Sequence, residues 1–241
     1  MKAAVAAAAL ATLAACADTG QAPVTVAATA AGTAPAAIAV GDYTVTLTRA
    51  DVGFGPAYFC AGANADGDQC ATAVLELART VAVDALDPTA QPLGDLDGVT
   101  GSIRSAMYDW GVSWLLTRDQ PAANPGAPDG HSLVLEGTAV GAAPDAVPFA
   151  FTARVDAVPA GLGAPAVRAQ RTELELVEDV AITLAVRVDP SAWLAQVPFT
   201  ELDDGLGTPA AITAGTSAYT ALVVGMTTLA PATFTWSRER L

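Results

Sequence analysis

The chain has 241 residues, with 25 acidic against 11 basic side chains, a formal net charge of −14, 3 cysteines and 1 histidine. Nucleic-acid binding needs clustered Lys and Arg to displace counterions, so this acidic excess excludes nucleic acid as a partner. A single imidazole excludes sites built on two or more histidine ligands, and the acidity itself reads either as attraction for cations and basic partners or as plain solubility.

Met1 and Lys2, followed by an unbroken run of small and apolar residues to Leu13, have the charged start and apolar stretch of a secretory signal. The run is too short to cross a bilayer as a mature helix. It ends in Leu13-Ala14-Ala15-Cys16, which resembles the bacterial lipobox; the alternative is an ordinary secretory signal cut at an A-x-A-like site. The resemblance implies removal of residues 1–15, a diacylglyceryl group on Cys16 and a membrane partner held through that anchor. Each buried CH₂ adds about 0.8 kcal/mol, so several acyl chains make a permanent tether. Ala17, standing where enteric bacteria place Asp to retain a lipoprotein in the inner membrane, implies an outer-membrane lipoprotein facing the periplasm or the cell surface.

Residues 16–39 are rich in Ala, Thr and Pro without apolar periodicity, which predicts a flexible spacer and ordered structure from Val40 onward. From Tyr43-Thr44-Val45-Thr46-Leu47-Thr48 the pattern alternates at period two. Further strands are expected over 57–60, 73–83, 102–108, 112–117, 133–140, 149–155, 173–177 and 181–188, separated by Gly, Pro, Asp and Asn turns. Asp189-Pro190-Ser191 has the order of a helix N-cap and first helical position, predicting a short helix near 191–195. In 216–226, Tyr219, Leu222, Val223 and Met226 fall on one helical stripe, ahead of a closing strand over 232–236. The fold class is mostly β: an antiparallel sandwich over 40–241, read as one domain, with one or two short helices near the C-terminus.

Cys60 and Cys70 bracket a short loop between two strands, and with Cys16 consumed by lipid they are the natural disulfide pair. Within the loop, Asn64-Ala65-Asp66-Gly67-Asp68 resembles the start of a calcium loop. Placed in an EF-hand register, however, it leaves Gly62 and Ala73 at the first and twelfth positions, neither with a side-chain oxygen. It reads better as a solvated turn. No nucleophile-elbow, zinc-protease, S-x-x-K or phosphate-loop pattern occurs, and the carboxylates Glu201, Asp203 and Asp204 adjoin Gly205 in a loop. The chain is therefore read as a non-enzyme, with no metal and no cofactor.

Trp110 and Trp114, at i and i+4, would share one face of a strand and with Tyr108 form an aromatic row. The row is either core or one wall of a ligand groove for sugar or peptide, in which His131, at a strand end, is a further candidate. The series His131-Ser132-Leu133-Val134-Leu135-Glu136-Gly137, Pro148-Phe149-Ala150-Phe151, Val186-Arg187-Val188-Asp189-Pro190-Ser191-Ala192-Trp193-Leu194 and a small-residue helix before Phe234 resembles the MbnP-like family across the second half of the chain. That resemblance implies a periplasmic β-sandwich. Some members are linked to copper, but His131 alone is too little histidine for a copper site to be carried over. The function expected is a non-catalytic binding or interaction domain engaging a protein or envelope partner, with a metal-binding protein or a structural lipoprotein as alternatives.

Overall fold

Period-two alternation becomes strands with one buried face. The computed structural model describes residues 20–34, 36–63, 70, 73–115 and 117–240; Cys16, the leader before it and the 64–68 loop lie outside the described residues. In chain order the first strands are β1 (Pro23–Ala31), β2 (Ile38–Val40), β3 (Tyr43–Phe54), β4 (Ala57–Cys60), β5 (Ala73–Leu77), β6 (Val81–Asp84), β7 (Gln91–Val99) and β8 (Gly101–Tyr108). They are followed by β9 (Val112–Ser113), β10 (Ala122–Ala123), β11 (Leu133–Gly141), β12 (Phe149–Val155), β13 (Val167–Leu176) and β14 (Val180–Arg187). Helix α1 (Pro190–Trp193), β15 (Ala210–Ile212), helix α2 (Ser217–Val224) and β16 (Thr233–Arg240) complete the chain. In β12, Phe149, Phe151, Ala153 and Val155 are buried while Ala150, Thr152 and Arg154 are exposed, the alternation of a strand with one wet face.

One sheet runs β13-β8-β4-β5-β7-β1-β14-β16, the other β15-β12-β11-β3-β2 with β6 also on β3, and β9 pairs with β10 in a small ribbon. Side chains from both sheets merge into one core. The architecture is the mostly β one the sequence implies, with short helices near the C-terminus. Pairing is antiparallel except at β1 with β14 and β12 with β15, which are parallel. Parallel neighbours need long crossovers, and here most of the chain separates β1 from β14.

Within the spacer expected over 16–39, Pro23–Ala31 is instead a strand. Val26, Ala28 and Ala30 point inward from β1, which is hydrogen-bonded on both sides, to β7 and to β14. The inward residues of β1 are mainly alanine, so composition reads as linker while the two ladders make it an interior strand. The larger sheet also curls until its edge strands meet. Trp236 Nε1–H on β16 donates to Thr172 Oγ1 on β13 at 2.8 Å, and Arg238 donates to the Glu175 carbonyl at 2.9 Å.

At the C-terminal end, the Asp189 carboxylate caps α1 by accepting from Ser191 N–H at 3.0 Å, with Pro190 at the first helical position. Thr216 caps α2, whose buried face is Ala218 and Leu222, continued by Gly225 and Met226, so the stripe is turned slightly from the expected one and Tyr219 is half-buried. A Cβ on Gly225 would stand 2.7 Å from the Trp193 carbonyl oxygen, so glycine is what lets α2 cross α1 so closely. Among the described residues, no helix is long and apolar enough to cross a membrane.

Candidate functional site

Of the expected groove residues, Tyr108 and Trp110 belong to the core, each 0% exposed. Both pin the chain after α2: Tyr108 Oη accepts from Ala232 N–H at 2.6 Å and Trp110 Nε1–H donates to the Met226 carbonyl at 3.2 Å. The shared strand face expected for Trp110 and Trp114 is corrected, because the strand expected over 112–117 is only Val112–Ser113. Gly111, at φ +74°, turns the chain between them, sending Trp110 inward and Trp114 to the other side of the larger sheet.

There Trp114 helps to enclose a cleft of about 560 Å³. Its floor is the outer face of β5, β4 and β8. Tyr58 pairs across the ladders with Glu76 on one side and Met107 on the other, while the intervening Phe59 faces the core. Asp109, two residues beyond Met107, lines the same cleft, and Arg79 stands at its rim. Walls come from the segment carrying Trp114 and Asn124, and from Gly163 to Pro165. Asn124 Nδ2–H donates to Ser113 Oγ at 2.9 Å and holds the first wall together. Cys70 also lines the cleft and is joined to Cys60 in a disulfide, with Cα atoms 5.7 Å apart, as the sequence implies.

Asp109 is only 7% exposed; one of its carboxyl oxygens, Oδ1, accepts from Ala166 N–H at 2.8 Å. Burial pushes its carboxyl up to about 7, against the opposing pull of that hydrogen bond. The Tyr58 hydroxyl is raised by burial first, then by the charges of Glu76 and Asp109. Arg79 does not neutralise them: it forms no ion pair among the described residues, and its Nε–H donates to the Leu93 carbonyl at 3.2 Å. Trp114 Nε1–H is buried and has no hydrogen-bond partner among the described residues. A buried donor left unpaired costs roughly 1–3 kcal/mol, and a ligand acceptor would relieve it.

His131 lies outside this cleft. Its Nδ1 is 3.0 Å from Asp156 Oδ1, and Asp156 N–H donates to Tyr219 Oη at 2.9 Å, which fastens α2 to the ends of β11 and β12. The expected groove set is thus divided among the core, the cleft and this corner. The carboxylates at 201–204 are structural: Glu201 accepts from Ser217 Oγ–H at the start of α2, Asp203 from Tyr43 Oη–H at 3.0 Å and from Gly205 N–H at 2.8 Å, and Asp204 from Leu206 N–H at 2.8 Å. Among the described residues no three His, Cys, Asp or Glu side chains converge as a metal site. Sequence reasoning missed Asp109, Tyr58 and Glu76; the lone carboxylate in Met107-Tyr108-Asp109-Trp110 marks Asp109 only faintly, since it does not say which face is covered.

No family model and no curated protein matches the chain. Among solved structures the chain is similar to MbnP from Methylosinus trichosporium, over 73% of this chain and 78% of that one, at 13% identity and a TM-score of 0.31.

Proposed function

We propose that the chain is a non-catalytic ligand-binding domain carried at the cell envelope, with the cleft over β4, β5 and β8 as its binding site. The observation that carries this is two buried polar groups on residues lining one cleft: the Asp109 carboxyl, which accepts from Ala166 N–H but has no countercharge among the described residues, and the Trp114 indole N–H, which has no hydrogen-bond partner among them. A few convergent polar groups in a mostly apolar hollow are what orient a small ligand. Among the described residues lining the cleft no nucleophile is hydrogen-bonded to a base, so binding is the reading its chemistry favours. The envelope address rests on the lipobox-like Leu13-Ala14-Ala15-Cys16, which makes a membrane the partner through a lipid on Cys16, with Ala17 favouring the outer membrane.

A thermal-shift screen of the purified lipoprotein against a small-molecule library tests the binding role. A true ligand at about one hundred times its Kd stabilises the fold by about 2.7 kcal/mol. That stabilisation should disappear in D109A and W114A. A library hit unaffected by both variants would remove the cleft as the site. For the anchor, intact mass of the mature protein should show a lipidated Cys16 as the first residue; an unmodified chain that keeps its first fifteen residues would contradict it.

A further inference from the structure

We infer that the ligand of this cleft is a small organic ammonium compound, its cationic head lying against Asp109, Glu76 and the ring of Tyr58 and a hydrogen-bond acceptor meeting Trp114. This rests on reading the cleft as the binding site. The three groups share the outer face of adjacent strands: Glu76 and Tyr58 are direct cross-strand neighbours, and Asp109 follows Met107, the neighbour of Tyr58 on the other side. Neither carboxyl forms an ion pair among the described residues, where the ion pairs are those of Arg49, His131 and Arg171. Arg79, the cation at the rim, is turned to the Leu93 carbonyl. Among the described residues, the overlying segments add uncharged lining, including Ser113, Trp114 and Asn124. With Arg79 counted, the described lining carries one net negative charge once Asp109 is ionised and none while it holds its proton, in a protein of net charge −14 that concentrates cations around itself.

A cation entering here gains the attraction of Glu76, of Asp109 once ionised, and of an aromatic face, set against the cost of shedding part of its own hydration. The cleft is far too large for a bare metal ion, and Tyr58, Met107 and Trp114 supply apolar and aromatic surface rather than further oxygen ligands. An anion would meet the two carboxyls, and a neutral ligand would leave them unbalanced. Burial holds Asp109 near neutrality with a proton at about 7, so an ammonium ligand, which favours the ionised carboxylate, binds more tightly as pH rises through that range.

The experiment is calorimetric titration of the full-length protein in detergent with matched probes: choline against its neutral isostere 3,3-dimethylbutanol, and tyramine against 4-ethylphenol. The expected result is binding of at least one ammonium probe roughly a hundredfold tighter than its neutral match. Its affinity should fall about tenfold for each pH unit below about 7, and by about tenfold or more in D109N and in E76Q. Neutral probes binding as tightly as the cations, or affinity rising as pH falls, would overturn the cationic ligand while leaving the cleft as a site. Failure of every ammonium probe also overturns it. If the thermal-shift screen finds no ligand of any charge that depends on Asp109 or Trp114, the site itself falls as well.

Discussion

Asp109 is the residue on which the chemistry turns, and its burial makes a prediction that needs no ligand. The ordinary carboxyl value is 3.8, and in the folded chain it stands at about 7. Between about pH 4 and 7 the folded protein therefore holds a proton that the unfolded chain has released, so this group makes stability fall as pH rises through that window. At about 1.36 kcal/mol per unit the loss is on the order of 4 kcal/mol. The amide introduced by D109N can still accept from Ala166 N–H but carries no charge. D109N should therefore grow more stable relative to the parent from about pH 4 to 7 and then level off, as followed by urea unfolding at several pH values. A constant difference across that range would show that Asp109 ionises freely. The sequence gives little notice of this residue, because neither aromatic bracket of a carboxylate nor strand period says which face another segment will cover. Tyr58 and Glu76 were legible as strand residues, but their meeting depends on the β4–β5 register.

Among the elements, β12 and β4 have the bounds expected of them: the inward residues of β12 alternate strictly, and β4 is set by Phe59 buried between turns. β7 was missed for a physical reason: its buried leucines, Leu93 and Leu96, are three apart, since the ladder with β1 slips at Ala28 and Thr29 and puts Pro92 opposite Thr29. β1 was missed because alanine carries little hydrophobic signal. The two variants V26D and T25D separate strand from spacer. Val26 is buried and Thr25 exposed, so V26D should cost more than about 3 kcal/mol and unfold the domain near room temperature, while T25D should be within about 1 kcal/mol of the parent. Equal tolerance by thermal melting would return 23–31 to a spacer. In the C-terminal crossing, G225A drives a methyl group into the Trp193 backbone and should cost about 2 kcal/mol or more, read from the shift in the unfolding midpoint.

For the molecule as a whole, two sheets around one core fix the cleft's floor, and the Cys60–Cys70 bridge braces one side of it. Closing a loop of this length contributes about 2–3 kcal/mol, so C60S with C70S should lower stability by that amount under oxidising conditions and reproduce the reduced parent. The aromatic polar tips offer the most direct test of the central claim, that the cleft is a ligand site. Of the 4 tryptophans, Trp110, Trp193 and Trp236 already donate, to Met226, Ala230 and Thr172, and Trp114 alone has no acceptor among the described residues. Nitrogen-15 spectra of the indole N–H groups, recorded while a fragment library with ammonium, neutral and anionic members is added, should show one resonance, assigned to Trp114 by its loss in W114F, moving as it gains a hydrogen bond while the other three stay. A library in which some compound binds but leaves that resonance in place would contradict the account.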